Sequence, residues 1–381
     1  MNGNKLDVVF NGRMVGTLSE TPNHRVAFAY SHEWLNDGFP ISPFSLPVKE
    51  GVFLPSSMNF GGLFGVFADS LPDAWGQLLM NRMLQRRGLD PGRVGQLTRL
   101  AIIGDAGMGA ISYQPAWATW KAQQISDVDA LAQECQRILN REEIGDADHM
   151  FALAGSSGGA RPKVMTDEWI IKFPASNEDQ DSGIMEKAYM DCAVRCGIIV
   201  PENRLLPSQR CGGYFSVRRF DRERLPDGSL KRRHVLTAAA ILEADWRAPS
   251  MDYHTLMKLT KILCRDRRSE VEQMFCRMCF NVFAHNRDDH SKNFSFLYNE
   301  EKDQWSLSPA YDLTWNSTYY GEHTTTVDGN GRDPGMKELL AVGKAAGLSV
   351  TWCRKTAEQI REETLPIEEK YRNDSLCPNN S

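Results

Sequence analysis

Long apolar runs are missing from this chain: nowhere in its 381 residues does a segment approach the roughly 18 to 20 apolar residues that a membrane-spanning helix needs. The opening MNGNKLDVVFNGRMVG also lacks a basic stretch followed by an apolar one, so no secretory leader is read there and the protein is expected in the cytoplasm, with no membrane partner. Excess positive charge is missing too. A formal net charge of −5 argues against a chain whose main work is to coat nucleic acid. The basic run RRFDRERLPDGSLKRRH (218–234) reads accordingly as a solvated hairpin. Nine scattered cysteines, an odd number, do not make a secreted disulfide framework. Cys276 and Cys279 have zinc-knuckle spacing but no second pair nearby, and are expected to pack as small hydrophobes. No helix-turn-helix pattern is found.

What is present is ordinary globular material: 41% hydrophobic and 24% charged residues, in a chain longer than one average domain, predict two domains or one large lobed unit. LDVVFNGRMVGTL reads as a hairpin, with Val8 and Phe10 alternating, Asn11 and Gly12 turning, and Met14 and Val15 beginning the return. PISPFSLPVKEG is extended chain broken by proline, and helical signals run from about Leu71 to Arg87, where Gly88 closes them. A small α+β unit of roughly 110 residues fits this stretch. The segment 125–140 is amphipathic, with Ser126 or Asp127 as its N-cap. A second region begins near residue 146, in the order Gly-rich loop, strand, helix, strand, turn, then mostly helix.

The chemistry concentrates in that second region. ALAGSSGGARPKVM places Gly155, Gly158 and Gly159 beside Ser156 and Ser157, just ahead of the strand EWIIKFP. Glycines let backbone N–H groups approach anionic oxygen, so the loop suits phosphates, although its spacing matches neither Walker A nor G-x-G-x-x-G. Lys172 stands inside the apolar WIIKF, where a charge needs a partner, and Glu186 lies fourteen residues on in a helical run. A strand lysine paired with a helix glutamate is how kinases hold the α- and β-phosphates of ATP.

Further on, VEQMFCRMCFNVF carries Val271, Met274, Phe275, Met278, Cys279, Val282 and Phe283 at helical spacing, a buried stripe that delivers the chain to HNRDDHSKN. Asp288 and Asn293 are five positions apart, the spacing of catalytic aspartate and metal-binding asparagine in H-R-D-x-x-x-x-N. Two short alternating strands, FSFLY and QWSLS, follow and run into Asp312, which stands where kinases put the Mg²⁺-chelating aspartate. The tripeptide there is Asp312-Leu313-Thr314, without the glycine of D-F-G.

With these residues in this order, the chain resembles the HipA family of bacterial serine/threonine kinases, the toxin components of toxin–antitoxin modules. VVFNGRMVGTL and FADSLPDAWG look like the family's N-terminal subdomain, GSSGGARPK like its Gly-rich loop, IIKFP and VRRFDR like its N-lobe, and RDDHSKNFSF with YDL like its active site. The resemblance implies an α+β fold: an N-terminal subdomain (1–115), a bridging helical segment (116–145), and a bilobed kinase-like domain with N-lobe 146–222 and a mostly helical C-lobe 223–381. It implies Asp288 as catalytic base, Asn293 and Asp312 as Mg²⁺ ligands, and Lys172 on the phosphates of ATP. Arg219, Phe220 and Asp221 would form the hinge against adenine, with Arg219 standing where the family usually has Glu. His290 is expected to contact the nucleotide or the catalytic aspartate, and Lys292 to neutralise the transferred phosphate. Ser156 aligns with the loop serine that family members autophosphorylate, and Ser157 adjoins it. A phosphate there would push the loop out of its nucleotide-binding shape.

The implied partners are a protein substrate, such as an aminoacyl-tRNA synthetase, and a DNA-binding antitoxin through which DNA is met only indirectly. Two other readings stay open at this level. A small-molecule kinase of the aminoglycoside-phosphotransferase type shares the Asp-x(4)-Asn and later-Asp logic, and a non-catalytic antitoxin-binding co-repressor would need none of it.

Overall fold

The structure, a computed structural model, describes residues 5–117, 125, 127–142, 147–154, 158–175, 181–248, 250–316, 318 and 321–376. Its class is α+β. The chain divides into two compact units, residues 1–180 with 206–245 and residues 181–205 with 246–381.

In the first unit, four antiparallel strands stand in the spatial order Val26–Tyr30, Arg13–Glu20, Lys5–Phe10, Ile111–Gln114. The first hairpin turns where the sequence says it should: Phe10 pairs with Arg13, and Asn11 and Gly12 both take positive φ, +45° and +86°. The helix Ala74–Arg86 begins three residues later than the helical signals suggest, after Pro72, and ends before Gly88 at φ +72°. Asp127 caps the helix Val128–Leu139 by accepting from the Ala130 N–H at 2.9 Å.

A single core joins these helices to the region that follows. Trp75, Leu79 and Met83 pack with Ile138, Phe151, Ile171 and Phe173, all buried, so that the helices 74–86, 128–139 and 147–154 rest on the strands Lys163–Met165 and Trp169–Lys172. Fully burying side chains of this size is worth about 1.5–3 kcal/mol each. Tyr214–Arg218 is the next antiparallel strand, with Trp169 opposite Arg218.

The run 218–234 does fold as a hairpin, Arg222–Arg224 against Leu230–Arg232, but not as a solvated one. Arg222 and Arg232 turn inward and donate to the carbonyls of Gly107 and Gly109, with Arg232 also reaching Asp105 and Ile111. The glycine-rich turn at 104–109 exposes carbonyls that only long cationic side chains can reach, and this overrides the bland reading of a charged run.

The second unit is mainly helical. Tyr253–Leu263, Arg268–Phe283, Met336–Ala345 and Val350–Leu376 pack with the inserted helix Ser182–Arg195. Arg268–Phe283 is central, and its buried surface is wider than the predicted stripe: Cys276, Arg277, Phe280 and Asn281 are buried as well, whereas Val282 and Phe283 are only half-buried. Helices press on it from several directions, so a one-sided apolar stripe is not the whole contact. Beyond it, Ser295–Asn299 and Gln304–Leu307 form the expected hairpin, with Phe296 opposite Leu307 and Asn299 opposite Gln304.

Candidate functional site

Each unit carries part of the predicted residue set. In the first, Lys172 ends the strand Trp169–Lys172, and its ammonium stands 5.7 Å from the centre of the Phe215 ring. Directly opposite it in the ladder is Lys163, a residue passed over in the sequence and now found buried. Residues directly opposite in a ladder share a face of the sheet, so both lysines leave the same side of it. Lys163 Nζ donates to the Gly158 carbonyl at 2.5 Å, and Gly159 holds φ +81°. A Cβ at Gly159 would meet only the mobile end of Lys163, so it is the positive φ that calls for glycine here. Gly155, Ser156 and Ser157 lie outside the described residues.

The hinge expectation divides on inspection. Arg219 and Asp221 are buried and committed to each other, Nε to Oδ1 at 3.0 Å and Nη2 to Oδ2 at 2.9 Å. Arg222 Nη1 and the Gly109 N–H add to the same carboxylate at 2.6 and 2.8 Å. Against the burial that would raise it, the two guanidinium groups hold the Asp221 carboxyl well below the usual range. The Arg219 and Asp221 side chains are therefore committed to internal bonds, while Phe220 between them is half-buried.

In the second unit, Glu186 is buried on the helix Ser182–Arg195. The helix Arg268–Phe283 ends at Ala284, and the chain enters the polar loop through His285, at φ +58° and stacked on Trp315 at 5.6 Å. Asn293 Nδ2 donates to the backbone oxygen of Asp288 at 2.7 Å, which closes the loop on itself and sets the two predicted residues side by side. Asp312 is drawn to the same place by its neighbour Tyr311, whose hydroxyl donates to the Lys292 carbonyl at 2.6 Å and meets Ser295 Oγ at 2.5 Å. Asp312 itself takes φ +52°, a left-handed conformation that aspartate tolerates better than most residues and that recurs at functional sites. Burial raises the Asp288 pKa, His290 opposes that, and the Asp312 and Asp289 carboxylates raise it further.

His290 Nε2 lies 3.9 Å from Asp288 Oδ1, and its ring packs at 5.1 Å against Trp246. Its Nδ1 is buried with no hydrogen-bond partner among the described residues. The Lys292 ammonium lies 5.7 Å from the same Trp246 ring. Trp246 gathers both loop residues, and nothing in its local sequence marks it.

Asp289 was also missed, and it is what holds the loop. Its side chain is fully buried and accepts from the Tyr253 hydroxyl at 2.8 Å, His323 Nδ1 at 3.0 Å and the Thr325 N–H at 3.0 Å, while its backbone oxygen accepts from Thr325 Oγ1 at 2.5 Å. Adjacent aspartates thus do opposite work, one turned to the interior and one half-exposed. The oxygen donors Asp288, Asn293 and Asp312 suit a hard cation such as Mg²⁺, which commonly takes one or two carboxylates and completes its shell with water and substrate phosphates. Among the described residues no group of three or more His, Cys, Asp or Glu gathers around a metal position.

Comparison with known proteins adds the following. The HipA-like C-terminal domain model matches residues 155–366, and the HipA N-terminal domain model matches residues 6–114. The Sinorhizobium fredii protein named "Putative kinase Y4dM" is 24% identical, over 85% of this chain and 80% of its own length. Y4mE of the same strain, named likewise, is 25% identical over 94% of this chain and 90% of its own. Among solved structures, the HipA, HipB and operator DNA complex of Shewanella oneidensis MR-1 contains a chain that superposes with a TM-score of 0.72 at 20% identity, covering 96% of this chain and 90% of that one. That likeness is one of fold.

Proposed function

The chain belongs to the HipA family, and on that premise we propose that it is an ATP-dependent serine/threonine protein kinase serving as the toxin of a toxin–antitoxin module. One observation supports the chemistry: Asn293 Nδ2 is bonded to the Asp288 backbone, and the Asp312 carboxylate lies near enough to Asp288 to raise its pKa. Asp288 accepts the proton of the attacking serine or threonine hydroxyl. Asn293 and Asp312 would hold Mg²⁺, which would supply charge stabilisation to the phosphate oxygens. Lys172 holds the nucleotide phosphates, a role supported by its place at the end of the strand Trp169–Lys172, across the ladder from Lys163, whose ammonium bonds the Gly158 carbonyl of the Gly-rich loop. His290 orients Asp288 or the nucleotide. Lys292 neutralises the phosphoryl group in flight.

The relatives named as kinases support phosphotransfer, and the HipA and HipB likeness supports a DNA-binding antitoxin as partner, with DNA met through it. The protein substrate is a component of translation such as an aminoacyl-tRNA synthetase, and phosphorylation of Ser156 or Ser157 limits the enzyme itself.

Intact-mass and peptide mapping after incubation with Mg²⁺-ATP, beside an Asp312→Ala control, tests the reading. One added phosphate on Ser156 or Ser157, absent from the control, is the expected result. No phosphate together with no measurable ATP binding would reject it. Asp288→Asn is expected to lower turnover by about 10²–10⁴-fold with ATP affinity nearly unchanged, as loss of a general base does.

A further inference from the structure

In the sequence, the N-terminal motif SLPDAWG carries no recognisable chemistry, yet its aspartate reaches the Gly-rich loop. Asp73 occupies the N-cap position of the helix Ala74–Arg86, but its side chain makes no capping hydrogen bond there. Instead Oδ2 accepts the Gly159 N–H at 3.0 Å. The carbonyl of that same peptide group belongs to Gly158 and accepts from Lys163 Nζ at 2.5 Å. One peptide plane is therefore held at both ends, by a carboxylate on its N–H and an ammonium on its oxygen. The next carbonyl, of Gly159, accepts the Trp75 N–H at 3.3 Å, and Trp75 Nε1 donates to the Lys163 carbonyl at 3.0 Å. A Cβ at Gly158 would stand 3.2 Å from Asp73 Oδ2, so the carboxylate lies close against the loop backbone.

Two glycines in succession have no side chain to choose between peptide orientations. An orientation left open must be selected each time an anion binds, and that selection lowers affinity. Resting on the kinase reading above, we propose that Asp73 is a positioning residue for the nucleotide: its carboxylate fixes the Gly158–Gly159 peptide so that the phosphate-binding end of the loop is already formed when ATP arrives. The N-terminal subdomain that carries Asp73 is then part of the ATP-binding apparatus. In this role Asp73 acts on the nucleotide through the Gly158–Gly159 peptide.

Asp73→Ser keeps a good helix N-cap but is too short to reach Gly159, and Asp73→Asn keeps an acceptor at the right length. Two readouts are taken on full-length protein: hydrogen exchange of the peptide containing Gly159, and ATP titration with kinase assays at limiting and saturating ATP. In Asp73→Ser, Gly159 exchange is expected to rise and ATP affinity and KM to weaken by roughly tenfold, the scale of one charge-assisted hydrogen bond. Turnover at saturating ATP should stay within about threefold, because the chemistry is untouched. Asp73→Asn should recover most of the loss. Unchanged ATP affinity in Asp73→Ser would overturn the proposal, as would tighter binding, which would make the carboxylate a competitor of phosphate. If the wild-type protein binds no ATP, the kinase reading falls, and Gly159 exchange still judges the latch: no acceleration in Asp73→Ser rejects it, and acceleration reversed by Asp73→Asn keeps it.

Discussion

Asp288 and Asp289 are neighbours of the same type, and only their surroundings separate the proposed base from an anchor. Asp289 is enclosed by Tyr253, His323 and Thr325, so Asp289→Ala leaves several buried donors unsatisfied. The variant is expected to lose ~3 kcal/mol of stability in urea unfolding, whereas Asp288→Ala, at a half-exposed position, should lose under about 1 kcal/mol. Two histidines carry a pH signature. Burial lowers the pKa of both His234 and His285 to about 4, with the Arg287 charge adding to the effect at His285. The folded state refuses a proton that each unfolded histidine takes up near pH 6.5, so their contribution is full above that value and is lost as pH falls toward 4. Between those limits the slope is about 1.4 kcal/mol per pH unit for each group. His234→Gln should reduce the fall in stability measured by unfolding between pH 7 and pH 4.5.

At the scale of elements, close approach of helices leaves little tolerance. Gly343, on the helix Met336–Ala345, would place a Cβ 2.6 Å from Cys353 Sγ and 2.8 Å from the Phe275 ring, on the two helices it packs against. Gly343→Ala is expected to lower the midpoint of thermal unfolding, at a cost of about 1–3 kcal/mol from overpacking. Elements whose ends are set by local chemistry were legible: the Asn11-Gly12 turn, the Asp127 cap and the 295–307 hairpin follow from residue type and alternation. The stripe on the helix Arg268–Phe283 was legible only in part. Arg277 and Asn281 are polar residues that the surrounding helices bury, and periodicity says nothing of what a neighbour covers.

Over the whole molecule, the chain passes from one unit to the other three times, so residues close in sequence are divided between units: Lys172 belongs to the first and Glu186 to the second. With a formal net charge of −5, this chain alone has little with which to neutralise DNA phosphates. We expect no stable shift of operator DNA at physiological salt in an electrophoretic mobility assay with the chain by itself, and a shift once a cognate antitoxin is added.

The sequence by itself determined what depends on short-range order: the α+β succession, the hairpin and helix ends, and the spacing of Asp288, Asn293 and Asp312. Those features are encoded within a few residues of where they act, or in their order along the chain. Tertiary structure alone decided which charges are spent on structure. Asp221, Arg222 and Arg232 become internal braces because a glycine-rich turn more than a hundred residues earlier presents bare backbone groups to them. Lys163 faces Lys172 because of a strand register, and Asp73 reaches Gly159 across 86 residues of chain. Burial and long-range hydrogen bonding are properties of the assembled fold, and no local window of sequence contains them.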